Sequence, residues 1–236
     1  NDYFLLIGPP GTGKTSYALV AMVKEALSES SSILLSAYTN RAVDEICDKM
    51  DKHKIQYIRI GSELSCDERF RKNLLDEKIR LNPNADIVRK VIQETRVFVG
   101  TITSISGKLN LFGIKHFDLA IIDEASQVDL CTGALALACA RKAVIVGDLK
   151  QLPNVVNNKT AEITDNIFKQ YQLNEAYRYK NHCLLSSITE LFKNAPRTLL
   201  KEHYRCHPKI IEFCNKKFYN WHNYNDKNDD IIKMKK

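Results

Sequence analysis

The chain alternates between short, almost wholly apolar runs and longer stretches in which apolar residues return every three or four positions. Five runs are of the first kind: Tyr3-Phe4-Leu5-Leu6-Ile7, Ile33-Leu34-Leu35-Ser36-Ala37, Val97-Phe98-Val99-Gly100, Leu119-Ala120-Ile121-Ile122 and Ala143-Val144-Ile145-Val146-Gly147. Runs this short and apolar on both faces fit strands covered on both sides, as in a parallel sheet. Gln56-Tyr57-Ile58-Arg59-Ile60-Gly61 predicts a further short strand ended by glycine. Residues 16–23, 41–47 and 129–140 read as helices, the second with Thr39 or Asn40 as its N-cap. Strands alternating with helices predict an α/β fold built on a mainly parallel sheet flanked by helices. Between 62 and 96 the alternation stops, and two charged helices, 66–81 and 85–94, are split at Asn82-Pro83-Asn84. We expect this helical insertion to project from the sheet. Residues 160–196 read as mostly helical, and an amphipathic helix over 209–219 precedes a polar tail.

Directly after the first strand comes Gly8-Pro9-Pro10-Gly11-Thr12-Gly13-Lys14-Thr15, which completes the phosphate-loop pattern G-x-x-x-x-G-K-[ST]. A strand before it and a helix after it are the context that the motif requires. Backbone N–H groups bent around glycines point at phosphate oxygens, and the helix N-terminus adds its positive end. Lys14 is then placed for the β- and γ-phosphates of ATP, and the Thr15 hydroxyl for Mg²⁺. The fourth apolar run ends in two adjacent carboxylates. Asp123 is suited to hold Mg²⁺ through water, and Glu124 to orient and deprotonate an attacking water. Two further strand ends carry small polar side chains, Thr39 with Asn40 and Thr101 with Ser104. At the C-terminal edge of an α/β sheet, such groups and a capped helix offer a place for nucleic-acid phosphates.

Composition changes this picture only modestly. A chain of 236 residues with 44% hydrophobic content supports one large or two small globular domains. The net charge of +7 suits a polyanionic partner. No apolar run approaches the roughly 20 residues of a membrane span, so no membrane association is expected. Seven cysteines without a C-x-x-C pair fit a reducing, cytoplasmic setting, or a nuclear one in a eukaryote. His203, Cys206, His207 and Cys214 are the nearest approach to a metal cluster, but they lack a second ligand pair of zinc-site spacing.

The order of motifs closely resembles the superfamily 1 helicases of the 5′-to-3′ subgroup, which includes the nonsense-mediated-decay RNA helicase and many bacterial DNA helicases. The matching stretches are GPPGTGKT at 8–15, TNRAVDE at 39–45, GTITS at 100–104, DEASQ at 123–127, GDLKQLP at 147–153 and YRCHP at 204–208. The resemblance implies a RecA-like motor fold. It implies that Gln151 senses the γ-phosphate, that Gln127 couples nucleotide to nucleic acid, and that Thr39, Asn40 and Thr101 touch the backbone of a single strand. Tyr204 would stack on adenine. Arg205 would reach the γ-phosphate from the second domain, although pairing with a local carboxylate such as Glu202 is an alternative. The family's second motor domain is far longer than residues 199–236, and its later motifs have no match here. The expected division is therefore a motor domain over 1–198, with the insertion at about 62–96, followed by the opening of a second domain whose remainder is missing.

Two functions from different classes follow. The first is an ATP-dependent helicase or translocase on single-stranded DNA or RNA, acting as a monomer, with this chain an incomplete piece that hydrolyses ATP feebly and does not unwind. The second is a nucleotide-dependent nucleic-acid-binding module without useful turnover.

Overall fold

The computed structural model describes residues 2–82, 84–204, 207–219 and 233–234. Its frame is a seven-stranded parallel sheet made of β1 (Tyr3–Ile7), β2 (Ile33–Ala37), β3 (Ile58–Ile60), β4 (Val97–Thr101), β5 (Phe117–Ile122), β6 (Ala140–Gly147) and β7 (Arg197–Leu199). The spatial order is β3-β4-β2-β5-β6-β1-β7, with every pairing parallel. All residues of β2 and β4 are buried, because helices cover both faces of the sheet.

Alternate residues of each strand supply opposite faces. Ile33, Leu35, Val97 and Val99 pack with Val20 and Val23 of α1 (Val20–Ser28) and with Val43, Ile46 and Met50 of α2 (Asn40–Lys52). On the other face Leu34 and Phe98 meet Leu75 of α3 (Leu75–Leu81), Ile92 of α4 (Ala85–Glu94) and Ile105 of α5 (Ile102–Ser106). Further along that face, Leu5, Ile122 and Ile145 pack against Ala136 of α6 (Leu130–Ala138). After α7 (Asn158–Gln170), Leu184, Leu185 and Ile188 of α8 (Leu184–Leu191) complete the same cluster. α9 (Pro208–Phe218) follows, and Lys233–Met234 pair in parallel with Glu202–His203.

Two elements differ from expectation. Residues 62–96 do not project from the sheet. Cys66, Phe70 and Leu74 enter the core beside α2, and Leu75 and Ile92 enter the core on the opposite face. A few apolar residues in a charged segment suffice to clamp it over the edge strand β3, where an uncovered ladder would be a liability. Arg59 of β3 lies wholly buried under this cover, paired with Asp44 of α2 and donating to the Ser65 carbonyl at 3.4 Å. Residues 160–196 are mostly helical, as expected, through α7, a short 3-10 turn at Glu175–Tyr177 and α8. Finally, the sequence reading contains no counterpart of β7, whose Arg-Thr-Leu is largely exposed. It pairs with β1 and brings the chain back to the phosphate loop, with the Leu200 N–H donating to the Ile7 carbonyl at 2.8 Å. Among the described residues no helix is long and apolar enough to cross a membrane.

Candidate active site and nucleic-acid edge

The phosphate loop joins β1 to a first helical turn, Lys14–Leu19, which is wound wider than an α-helix, with the Ala18 N–H donating to the Gly13 carbonyl at 3.1 Å. Gly11 and Gly13 have φ of 84° and 82°, the left-handed region where a Cβ is strained. A Cβ on Gly8 would lie 2.6 Å from the Thr12 hydroxyl oxygen, so the loop is also too tight there for a side chain. Thr12 is buried and its hydroxyl donates to the Pro9 carbonyl at 2.8 Å, bracing the curve. The Lys14 ammonium donates to the Gly8 and Pro9 carbonyls at 2.6 and 3.0 Å, folded back over the hollow of its own loop.

Asp123, 2% exposed, follows β5 and faces the loop. One of its oxygens accepts the Thr15 hydroxyl at 2.6 Å and the other accepts the Glu124 N–H at 2.9 Å. Glu124 is held at φ 54°, an unusual conformation for a side chain of its type and one that costs about 1 kcal/mol or more. Strain of this kind persists where the surroundings overdetermine it, and here it turns consecutive carboxylates in different directions. Burial, and then the charge of Asp123, push the Glu124 carboxyl above the ordinary glutamate range. The Thr39 hydroxyl donates to Glu124 Oε2 at 3.4 Å.

These groups border a cleft of about 760 Å³ shared by the loop, Asp123, Glu124, Gln127, Gln151 and Tyr204. Gln127 sits one turn beyond Glu124, its N–H donating to the Glu124 carbonyl at 2.9 Å. Gln151 Oε1 accepts the Ser126 hydroxyl at 3.4 Å. Tyr204 is anchored by its N–H to the Gly11 carbonyl at 2.9 Å, and its ring lies 5.5 Å from that of Tyr17, tilted by 44°. Arg205 and Cys206 lie outside the described residues. The donor set fits a nucleotide with Mg²⁺: a hydroxyl and a buried carboxylate in mutual contact, hard oxygen ligands, beside a loop whose lysine now rests on carbonyl oxygens.

Thr39, Asn40 and Thr101 share one edge, because β2 and β4 are neighbours with Ala37 opposite Thr101. Their side chains differ in availability. The Thr39 hydroxyl caps α2 by accepting the Ala42 N–H at 3.1 Å. The Thr101 hydroxyl, buried, caps α5 by accepting the Ser104 N–H at 3.1 Å. Asn40 is exposed. The cleft also has a wall that extends beyond the TNRAVDE stretch: its last residue Glu45 is followed by Lys49 and Lys52, spaced four and three apart on α2, and by His53. That spacing is visible in the sequence, but only the packing of α2 shows which face meets the nucleotide side.

A family described as an AAA domain matches residues 1–157. Among curated proteins, the "DNA replication ATP-dependent helicase/nuclease JHS1" of Arabidopsis thaliana is 36% identical over 160 residues, covering 68% of this chain and 12% of that protein. The "DNA replication ATP-dependent helicase/nuclease DNA2" of Mus musculus is 31% identical over 224 residues, 92% of this chain and 19% of that protein. The chain thus spans less than a fifth of the length of these two relatives. Among solved structures, the arterivirus nonstructural protein 10 helicase in complex with DNA superposes with a TM-score of 0.54 over 92% of this chain and 39% of that one, at 14% identity. That likeness concerns the fold. The family match spans more than half of the chain, so the chain belongs to the AAA-domain family, in agreement with its phosphate loop, paired carboxylates and seven-stranded parallel sheet.

Proposed function

We propose that the chain is the ATP-hydrolysing motor unit of a helicase or translocase on single-stranded nucleic acid. One observation carries this: Thr15 and Asp123, 108 residues apart, meet at 2.6 Å beside the phosphate loop, with Glu124 next to them. Lys14 leaves its loop carbonyls for the β- and γ-phosphates, and the backbone N–H groups around Gly11 and Gly13 hold the phosphate oxygens. Thr15 and Asp123 would hold Mg²⁺, which neutralises charge on the phosphates. Glu124 orients the attacking water and takes its proton. Gln151 reads the γ-phosphate, Tyr204 supplies a face for adenine, and Arg205 adds a guanidinium to the γ-phosphate. Residues 1–198 form the motor domain and 199–236 lead into a second one.

Nucleic acid lies along the edge marked by Thr39, Asn40 and Thr101. The exposed Asn40 amide contacts backbone directly, and the two threonines hold the helix starts in place. Contacts of this kind read no bases and do not by themselves tell DNA from RNA. The relatives' names favour DNA. A second reading, a nucleotide-dependent binding module without turnover, draws on the bond from Thr39 to Glu124 and on the raised Glu124 pKa, both of which restrain the base.

Calorimetry with ATP and Mg²⁺, a phosphate-release assay and fluorescence anisotropy with a labelled single strand test these statements together. We expect ATP to bind, and a single strand to bind without sequence preference. If about four phosphates are neutralised, log K falls against log salt with a slope near −3. Lack of ATP binding overturns the site, salt-independent binding overturns the edge, and ATP binding with no turnover selects the second reading.

A further inference from the structure

Asp148 follows β6 with a carboxylate only 2% exposed. Its Oδ1 accepts the Lys150 N–H at 2.9 Å, and its carbonyl accepts the Gln151 N–H at 3.2 Å. Asp148 therefore shapes the turn that brings Gln151 to the nucleotide cleft. Its Oδ2 accepts the Tyr219 hydroxyl at 2.6 Å, across 71 residues of sequence. Tyr219 is the residue directly after α9. The same stretch of chain is tied at its other end, where the Tyr204 N–H donates to the Gly11 carbonyl. Residues 204 and 219 are thus tied to two segments that border the cleft, one to the phosphate loop and one to the Gln151 turn, and Arg205 lies between them in sequence.

A buried carboxylate is stable only when its oxygens are satisfied, and a short phenol-to-carboxylate bond is among the stronger neutral-to-charged pairs. The contact therefore favours one seating of α9 against the turn.

The geometry points to Tyr219 as a positioning residue: its hydroxyl clasps Asp148, so that the Gln151 turn and α9 shift together when nucleotide fills the cleft. The proposal rests on the ATPase reading of that cleft. Tyr219 touches no nucleotide, so losing its hydroxyl disturbs alignment for the chemical step while leaving binding intact.

The test compares wild type with Tyr219→Phe, Asp148→Asn and the double variant. ATP affinity is measured by calorimetry, kcat and KM by phosphate release, and nucleotide response by fluorescence of Trp221, the chain's single tryptophan and two residues beyond Tyr219. We expect Tyr219→Phe to lower kcat about five- to ten-fold, less than the full worth of a bond to a charged group because Tyr219 acts only through the Gln151 turn, with KM and ATP affinity within two-fold of wild type. The Trp221 response to ATP should fall sharply. The double variant should be no slower than Asp148→Asn alone, because both changes act on the same Tyr219–Asp148 contact. Unchanged kcat, an equal loss of ATP affinity, additive effects or an intact Trp221 response would each overturn the clasp. Where turnover is too slow to measure, the Trp221 response decides. If wild type fails to bind ATP, the ATPase reading falls and takes the clasp with it, whereas ATP binding with an unaltered Tyr219→Phe variant removes the clasp alone.

Discussion

The phosphate loop with Asp123 and the strand edge with Thr39 and Thr101 use the same kinds of polar side chain in opposite ways. Around the loop, Lys14, Thr15, Asp123 and Glu124 are drawn from distant positions and directed toward a shared hollow. At the edge, the two threonine hydroxyls are spent on the starts of α2 and α5. A polar side chain directed at a cleft is available to a ligand, while a capping one is already in use by its own helix and serves a ligand through the backbone it orders. The two regions meet where Thr39 bonds to Glu124.

The largest effect that sharpens this contrast is expected from Glu124→Gln. It keeps the shape and the hydrogen bonds but cannot take a proton, so turnover should fall by about 100-fold or more with ATP affinity retained. Phosphate-release kinetics beside calorimetry check it; turnover within ten-fold of wild type would mean that another group is the base. Next comes Lys14→Ala, which should weaken ATP binding by about 1.5–3 kcal/mol, the worth of a charge-assisted bond. Unchanged calorimetric affinity would show the loop to be no nucleotide site.

A middle-sized effect concerns pH. The Glu124 carboxyl is raised by burial and by Asp123, so the acid limb of kcat should sit above the ordinary glutamate range. For stability the sign follows from the native state holding this proton more tightly than the unfolded chain does. The contribution is fully present below the unfolded pKa and is lost as pH rises through the raised folded value. Urea midpoints of wild type and Glu124→Gln across that window should therefore diverge as pH increases; parallel curves would contradict the shift.

The smallest effects belong to the edge. Thr101→Ala removes a cap and should cost about 1 kcal/mol of stability. Single-strand affinity should stay within two-fold of wild type, because the buried hydroxyl is engaged with Ser104. If anisotropy instead shows a clear loss of affinity in a variant of near-normal stability, Thr101 belongs with the binding side chains and the contrast between the regions dissolves. Thr39→Ala should cost a similar amount of stability and, by freeing Glu124, should not slow turnover.

Much of this site was legible because its chemistry depends on local sequence. The glycines at 11 and 13 adopt the left-handed backbone that the loop motif demands, and the apolar run before Asp123 is the buried strand it implied. The edge over β3 was misread for a physical reason. Charge density in residues 62–96 suggested a solvated projection, whereas burial is decided by the few apolar side chains that reach a surface, here Phe70, Leu74, Leu75 and Ile92.

By itself the sequence determined the parallel α/β frame, the phosphate loop and the identity of its acidic partners, because these follow from short-range periodicity and from residues adjacent in the chain. Only the tertiary structure decided that Thr15 contacts Asp123, that the threonines of the edge are caps, and that β7 returns the chain to the loop. The same holds for Tyr219 lying on Asp148. Each of these joins positions whose separation along the chain carries no signal, or depends on which rotamer a crowded surface leaves open, and such choices are made by packing.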